Sequence, residues 1–322
     1  MRAPEFWRSP AGLRAHGLAP LAVLYASVAG ARLARPAPRA ELPTIVIGGL
    51  TLGGDGKTPT ALALAELLLR QGERPAFLTR GYGRVRRQAA DVGDEALLLA
   101  AVAPTFVGAD RLAGARRARA EGASVLILDD GFHSRRLEPD LAILVVDAGY
   151  GAGNGFCPPA GPLRAPLAAQ LARADVLLVV ETPGCETLPD RVPHANGVET
   201  WRAKLQPPPG VAARFGGARV FAFAGIGRPE KFARSLASAG ATVVGTRWFC
   251  DHHAFSRREL QELQAAARKS SARLVTTQKD AARLAQGFDA EVFPVALAFE
   301  EEAEVAARVS RALARARRKR AA

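Results

Sequence analysis

Four stretches of the chain are apolar almost without interruption: TIVIGGL at 44–50, VLILDD at 125–130, LAILVVDAG at 141–149 and VLLVVET at 176–182. A strand apolar at every position is covered on both faces, the condition of strands in a parallel sheet flanked by helices. Leucines at 62, 64, 67, 68 and 69 predict a helix over 60–71, after the first of these strands. Pro207-Pro208-Pro209-Gly210 then interrupts the pattern as a linker. A second series follows, with strands at 220–226, 242–249 and 273–280 and helical spacing around 229–239 and 256–268. A helix rich in Ala, Glu and Arg closes the chain from near residue 300. The alternation predicts an α/β fold: a main helix-covered parallel-sheet domain over 41–206 and a smaller α/β domain over 207–322 that includes the basic closing helix.

Residues 1–40 follow another pattern. Leu13, Leu21, Leu24, Tyr25 and Val28 fall near helical spacing, the last four inside an apolar stretch over 17–31, with arginines on both sides and Phe6 and Trp7 ahead. This predicts an N-terminal amphipathic helix at a membrane interface. A signal peptide and a helix packed on the body are the competing readings. No run reaches the roughly 18 apolar residues of a membrane span.

The chain has 322 residues, 48% hydrophobic and 23% charged, which excludes a disordered protein. Cys157, Cys185 and Cys250 stand far apart without a C-x-x-C pair, so neither a disulfide scaffold nor a zinc site is indicated, as suits a reducing compartment. The net charge is +13, but it is concentrated at the ends. Residues 1–40 hold six arginines against Glu5, and residues 311–322 hold six cations and no acid, leaving +2 between them. Both ends are suited to approach something anionic, or the tail simply aids solubility.

The strongest chemical signal is TLGGDGKT at 51–58, comprising Thr51, Leu52, Gly53, Gly54, Asp55, Gly56, Lys57 and Thr58. A phosphate-binding loop needs inward backbone N–H groups, a lysine for the terminal phosphates and a hydroxyl for Mg²⁺. The glycines permit the turn, Lys57 supplies the charge, Thr58 the metal ligand, and Pro59 fits a first helical turn. Thr51 departs from the usual pattern, which begins with Gly. The apolar strand before the loop and the helix after it give the setting that the mechanism requires. Asp129 and Asp130, ending a second apolar strand, are candidates to hold Mg²⁺. The fold is therefore expected to be P-loop NTPase-like, binding ATP or GTP with Mg²⁺.

These blocks, together with RGYG (80–83), VGDE (92–95), DDGF (129–132), NGFCPPAGPLR (154–164), FAGIGRPEKF (223–232), CDHHAFS (250–256) and VTTQKDAARL (275–284), resemble the tetraacyldisaccharide 4'-kinase family. Thr51 at the start of the loop is typical of that family. The resemblance implies transfer of the ATP γ-phosphoryl to the 4'-hydroxyl of a tetraacylated glucosamine disaccharide 1-phosphate. It implies Asp94 as catalytic base and His252 as its partner, on different domains that would close together. Without it, Asp94 reads as a turn residue and His252 as a cap or, less readily, a metal ligand. Arg80 is a candidate phosphate or sugar contact, and Asn154 and Arg164 are candidate acceptor contacts. Lys279 and Asp280 read as residues ending a strand and stabilising a turn. Where the family has Gln-His after DDGF, this chain has His133 and Ser134, and the histidine can replace a glutamine hydrogen bond.

A lipid acceptor gives the terminal charge a purpose, namely attachment to an anionic membrane surface on the cytoplasmic face. No obligate protein partner is indicated. The alternative function is a membrane-recruited P-loop ATPase or GTPase switch, but its additional loop lysine is missing. A nucleic-acid-binding role is disfavoured because the basic excess sits at the ends and aromatics make up only 6%.

Overall fold

The computed structural model describes residues 4–80, 94–185, 191–194, 196–251, 253–284 and 287–321. The larger of two compact units comprises Pro4–Glu181, Thr187–Ala203 and Leu297–Ala322. Its sheet contains β1 (Thr44–Gly49), β2 (Pro75–Thr79), β3 (Thr105–Val107), β4 (Val125–Leu128), β5 (Leu141–Asp147), β6 (Val176–Glu181), β7 (Glu199–Gln206) and, from the chain's end, β12 (Ala296–Phe299). The order is β12-β7-β6-β5-β1-β4-β2-β3, and the six strands from β6 to β3 run parallel. Every residue of β1, β4 and β5 is buried, as their unbroken apolar runs predict. Around the sheet lie α1 (Leu13–Ala34), α2 (Lys57–Arg70), α3 (Asp94–Ala100), α4 (Arg111–Ala120), α5 (Leu167–Leu171) and α10 (Glu302–Ala321).

The smaller unit is built mainly from Lys204–Ala296. Its four-stranded parallel sheet is ordered β11 (Glu291–Phe293), β10 (Arg273–Thr277), β8 (Arg219–Ala224), β9 (Thr242–Trp248). Helices α6 (Val211–Phe215), α7 (Pro229–Ser238), α8 (Arg257–Lys269) and α9 (Gln278–Ala281) accompany it. Phe215, Phe232 and Phe293 form one side of its core through edge-on and tilted ring contacts.

Several expectations are corrected. The helix expected over 60–71 is α2, which starts at Lys57 because Gly56 turns left-handed (φ 98°) and serves as its N-cap. The strand expected over 273–280 stops at Thr277, whose hydroxyl caps the helical turn α9 by accepting from the Asp280 N–H. Asp280 is fully buried and holds Gly225 N–H at 3.0 Å and Arg283 at 2.8 Å. The closing helix was expected in the smaller domain, yet α10 belongs to the larger unit. It is pinned there by Arg70–Glu302 and Arg317–Glu73, each at 2.7 Å, and by Arg320 gripping Asp140 at 2.7 and 3.1 Å. Ala, Glu and Arg spacing along a helix carries no sign of which sheet it will cover.

Helix α1 buries Ala15, Ala22 and Leu33 and leaves Leu21, Val23, Leu24 and Val28 exposed. Its protein side is fixed beside the 154–164 loop: the Tyr25 hydroxyl donates to Arg164 O at 3.4 Å, and His16 meets Phe156 edge-on. Just upstream, the Trp7 indole donates to Pro159 O at 3.1 Å. By length and composition α1 could cross a membrane, contrary to the expectation that no segment would.

Candidate active site

The site lies at the carboxyl ends of β1 and β4, adjacent strands at the centre of the sheet. After β1 the chain turns through Gly53, Gly54 and Gly56, whose φ angles of 82°, 67° and 98° lie in the left-handed region. The loop is closed from within by a carboxylate. Asp55, buried, accepts from Thr51 Oγ1 at 2.6 Å and from Thr51 N–H at 3.0 Å. Thr51, the departure from the common loop pattern, is thus the residue whose hydroxyl ties the loop to Asp55. A Cβ on Gly49 would stand 2.4 Å from Asp55 Oδ2, so the clamp also requires glycine at the end of β1.

The loop delivers Lys57 and Thr58 onto the first turn of α2, whose unpaired N–H groups favour anions. Asp129 and Asp130 follow β4 and take different partners. Thr58 Oγ1 donates to Asp129 Oδ2 at 3.1 Å. The other oxygen, Oδ1, is buried with no hydrogen-bond partner among the described residues. Burial, and after it the Glu95 charge, pushes the Asp129 carboxyl up to about 7. Asp130 adopts φ 56°, and this left-handed turn gives its carboxylate different company. Arg164 Nη1 donates to it at 2.9 Å, and Lys57 Nζ lies 3.9 Å away. Burial works against its ionised form, but Arg164 and Lys57 outweigh that and hold it below the usual carboxylate range.

Arg164 also donates from Nε to Thr51 O at 2.9 Å, so it braces the phosphate loop and Asp130 together. A bridge between Thr51 and Leu163 and the bond from Leu52 N–H to Pro162 O seat the 154–164 loop on the same edge. Asn154 serves that loop's own architecture. Its amide donates to Ala160 O at 2.8 Å and to Phe6 O at 3.3 Å, and its oxygen accepts from Phe156 N–H. Arg80, exposed, follows β2. Asp94 begins α3, but its side chain, like the whole of His252, lies outside the described residues.

Three further side chains complete the surroundings, and two of them, Arg111 and Gln170, carry no local sequence signal. Arg111, at the start of α4, is buried and donates to Gly108 O at 2.7 Å. Burial, with the charges of Arg136 and Arg80, lowers it to about 10, while Asp129 and Asp130 oppose the shift. Gln170, fully buried, donates to Leu50 O and Ala165 O, which leaves its oxygen to accept. The third, His133, is the hydrogen-bond partner of that oxygen, with Nε2 at 2.8 Å. It therefore donates from Nε2, and its buried Nδ1 is unprotonated. Burial and the Arg164 charge lower His133 to about 4. Ser134 donates to Gly131 O at 2.8 Å and closes the turn.

Comparison with known proteins bears on this geometry. Residues 14–314 match the model of a family described as Tetraacyldisaccharide-1-P 4'-kinase. A tetraacyldisaccharide 4'-kinase of Methylobacterium nodulans is 50% identical over 94% of this chain and 93% of its own length. One from Bradyrhizobium sp. (strain ORS 278) is 43% identical over 98% and 99%. Among solved structures, LpxK of Aquifex aeolicus, crystallised in complex with ATP, is 25% identical with a TM-score of 0.69, over 94% of this chain and 100% of that one.

Proposed function

The chain belongs to the tetraacyldisaccharide 4'-kinase family, and from that premise we propose that the loop after β1, with Asp129, Asp130 and Arg164, is the seat of its phosphoryl transfer. The protein is an ATP-dependent lipid kinase that phosphorylates the 4'-hydroxyl of the tetraacyldisaccharide 1-phosphate precursor of lipid A. Family and relatives favour this over a P-loop switch.

The observation that carries the assignment is the Thr58–Asp129 hydrogen bond beside a buried carboxylate oxygen with no partner, one residue from the phosphate-loop lysine. That oxygen and the Thr58 hydroxyl fit a hard divalent cation, so Thr58 and Asp129 would hold Mg²⁺. Among the described residues no cluster of three His, Cys, Asp or Glu is close enough to bind a metal without other ligands. This suits Mg²⁺, which commonly binds one or two carboxylates together with substrate phosphates. Bound there, the ion would neutralise charge on the phosphate oxygens. Lys57 contributes a point charge to the terminal phosphates, and the left-handed glycines present N–H groups to them. Asp130, committed to Arg164 and Lys57, orients those cations. Asp94, with His252, is proposed as the base that accepts the hydroxyl proton, on the strength of the family motifs VGDE and DHH.

The exposed apolar side of α1 supports peripheral attachment to an anionic membrane on the cytoplasmic face, where ATP is available. The test of the site is transfer of labelled γ-phosphate to the disaccharide 1-phosphate in mixed micelles. Lys57→Ala and Thr58→Ala should each lower kcat by about 100-fold or more, with far-UV spectra unchanged. Wild-type turnover in either variant would overturn the assignment.

A further inference from the structure

At the opposite end of the main sheet from the phosphate loop, a cavity of about 340 Å³ opens beside the amino ends of β1 and β5. Its walls come from distant parts of the sequence: Arg39 from the segment between α1 and β1, Arg173 after α5, and Arg315 and Lys319 from α10. Arg315 and Lys319 are four residues apart and share one face of that helix. The two basic ends of the chain therefore meet here, in a structural feature that the transfer reaction does not use.

Three carboxylates also line the cavity, and each has a partner of its own. Glu138 pairs with Arg135 at 2.6 Å and with Arg173 at 3.7 Å. Asp140 is gripped by Arg320 and accepts from Thr44 N–H at 2.9 Å. Asp175 accepts from Ala142 N–H at 2.8 Å. Arg39, Arg315 and Lys319 have no ion pair among the described residues, and all three are exposed. With Glu138 and Asp140 paired to other cations, these three cations outweigh the Asp175 carboxylate, and such a positive excess around a concave polar site forms a receptor for an anion.

We propose that this cavity binds a phosphate group, either as the headgroup of an anionic lipid or as a free phosphate. The volume exceeds that of a bare phosphate and leaves room for an attached glycerol or sugar. Arg39 and Arg315 supply planar donor forks for the phosphate oxygens, and Lys319 supplies a point charge.

The test uses the full-length protein and the variant Arg39→Gln/Arg315→Gln/Lys319→Gln. Two probes separate the sources: inorganic phosphate, titrated calorimetrically, and vesicles of phosphatidylcholine alone or mixed with phosphatidylglycerol, read by co-sedimentation. Each cation near an anionic surface is worth about five-fold in affinity, so the triple variant should bind roughly 100-fold more weakly. A loss confined to phosphatidylglycerol vesicles identifies a lipid headgroup, and a loss of inorganic phosphate binding identifies free phosphate. A control, Arg257→Gln/Arg268→Gln/Lys269→Gln, removes the same charge from α8. Equal losses in the two triple variants, or no loss in the first, would overturn the proposal. Because the substituted side chains are exposed, the fold should persist. Lys319→Gln alone should carry about a five-fold share of the effect.

Discussion

Asp129→Asn should make the protein more stable while abolishing its turnover. In the folded chain the Asp129 carboxyl is raised from 3.8 to about 7, first by burial and then by Glu95. Between those values the native state holds a proton that the unfolded chain has released, so stability falls as pH rises through the window and the loss is complete above about 7. At 1.36 kcal/mol per pH unit, the buried charge costs up to about 4 kcal/mol at pH 8. The amide is nearly isosteric, can still accept from the Thr58 hydroxyl, and carries no charge. Calorimetric melts without added nucleotide or metal should therefore show the variant more stable by about 2–4 kcal/mol at pH 8. The gap should close as pH falls below 4, where the wild-type carboxyl is protonated in both states. Transfer to the disaccharide should be lost at every pH. A variant equal to or less stable than wild type at pH 8 would refute the argument, because it would mean that the ionised carboxylate is compensated by contacts the amide cannot make.

The same reasoning with the opposite charge applies to His133. Its imidazole is neutral when folded and lowered to about 4, so the unfolded chain binds the extra proton and wild-type stability declines as pH falls from about 6.5 towards 4. The loss should total about 3 kcal/mol, and His133→Gln should flatten that part of the stability–pH curve. An unchanged curve would show that His133 is not held neutral. Asp55→Ala should leave the buried Thr51 N–H and hydroxyl without their acceptor, costing about 2–3 kcal/mol, and should weaken ATP binding measured by calorimetry. Undiminished nucleotide affinity would show that the clamp does not shape the loop.

What could be read from the sequence was whatever is encoded locally. The strands β1, β4, β5 and β6 are nearly all apolar because both their faces are covered, so each announces itself within seven residues. In contrast β7 alternates, burying Trp201 and Ala203 between exposed Glu199, Arg202 and Lys204, and was not anticipated within a parallel domain. β2 and β3 are five and three residues long, too short for a periodic signal. The placement of α10 rests on pairs such as Arg70–Glu302 and Arg317–Glu73, whose members lie more than two hundred residues apart. At the site, the glycines, Lys57 and Thr58 declare themselves through spacing. Arg111 and Gln170 matter only because the fold buries them beside Asp129 and His133, and no neighbouring residue marks either one.

The Asp129-Asp130 pair illustrates how adjacent identical residues acquire different chemistry. In the sequence they are equivalent candidates for one metal. In the fold, a single left-handed φ at Asp130 turns its carboxylate towards Arg164 and Lys57, while Asp129, directly after β4, accepts from the Thr58 hydroxyl. The first consequence is electrostatic: one carboxylate is held below its ordinary range by two cations and the other is lifted to about 7 by burial. The second concerns mechanics. Arg164 spans Asp130 and Thr51 O, and Thr51 in turn is bound by Asp55, so Asp130 belongs to a continuous brace running through the phosphate loop. Asp129 lies outside that brace, with one buried oxygen unsatisfied. A carboxylate already neutralised by guanidinium gains little from a further cation, whereas one that is destabilised by burial and has an oxygen unsatisfied gains most. Of two residues that spacing cannot distinguish, the fold thus makes Asp130 the stiffener of the loop and Asp129 the one with charge left to give.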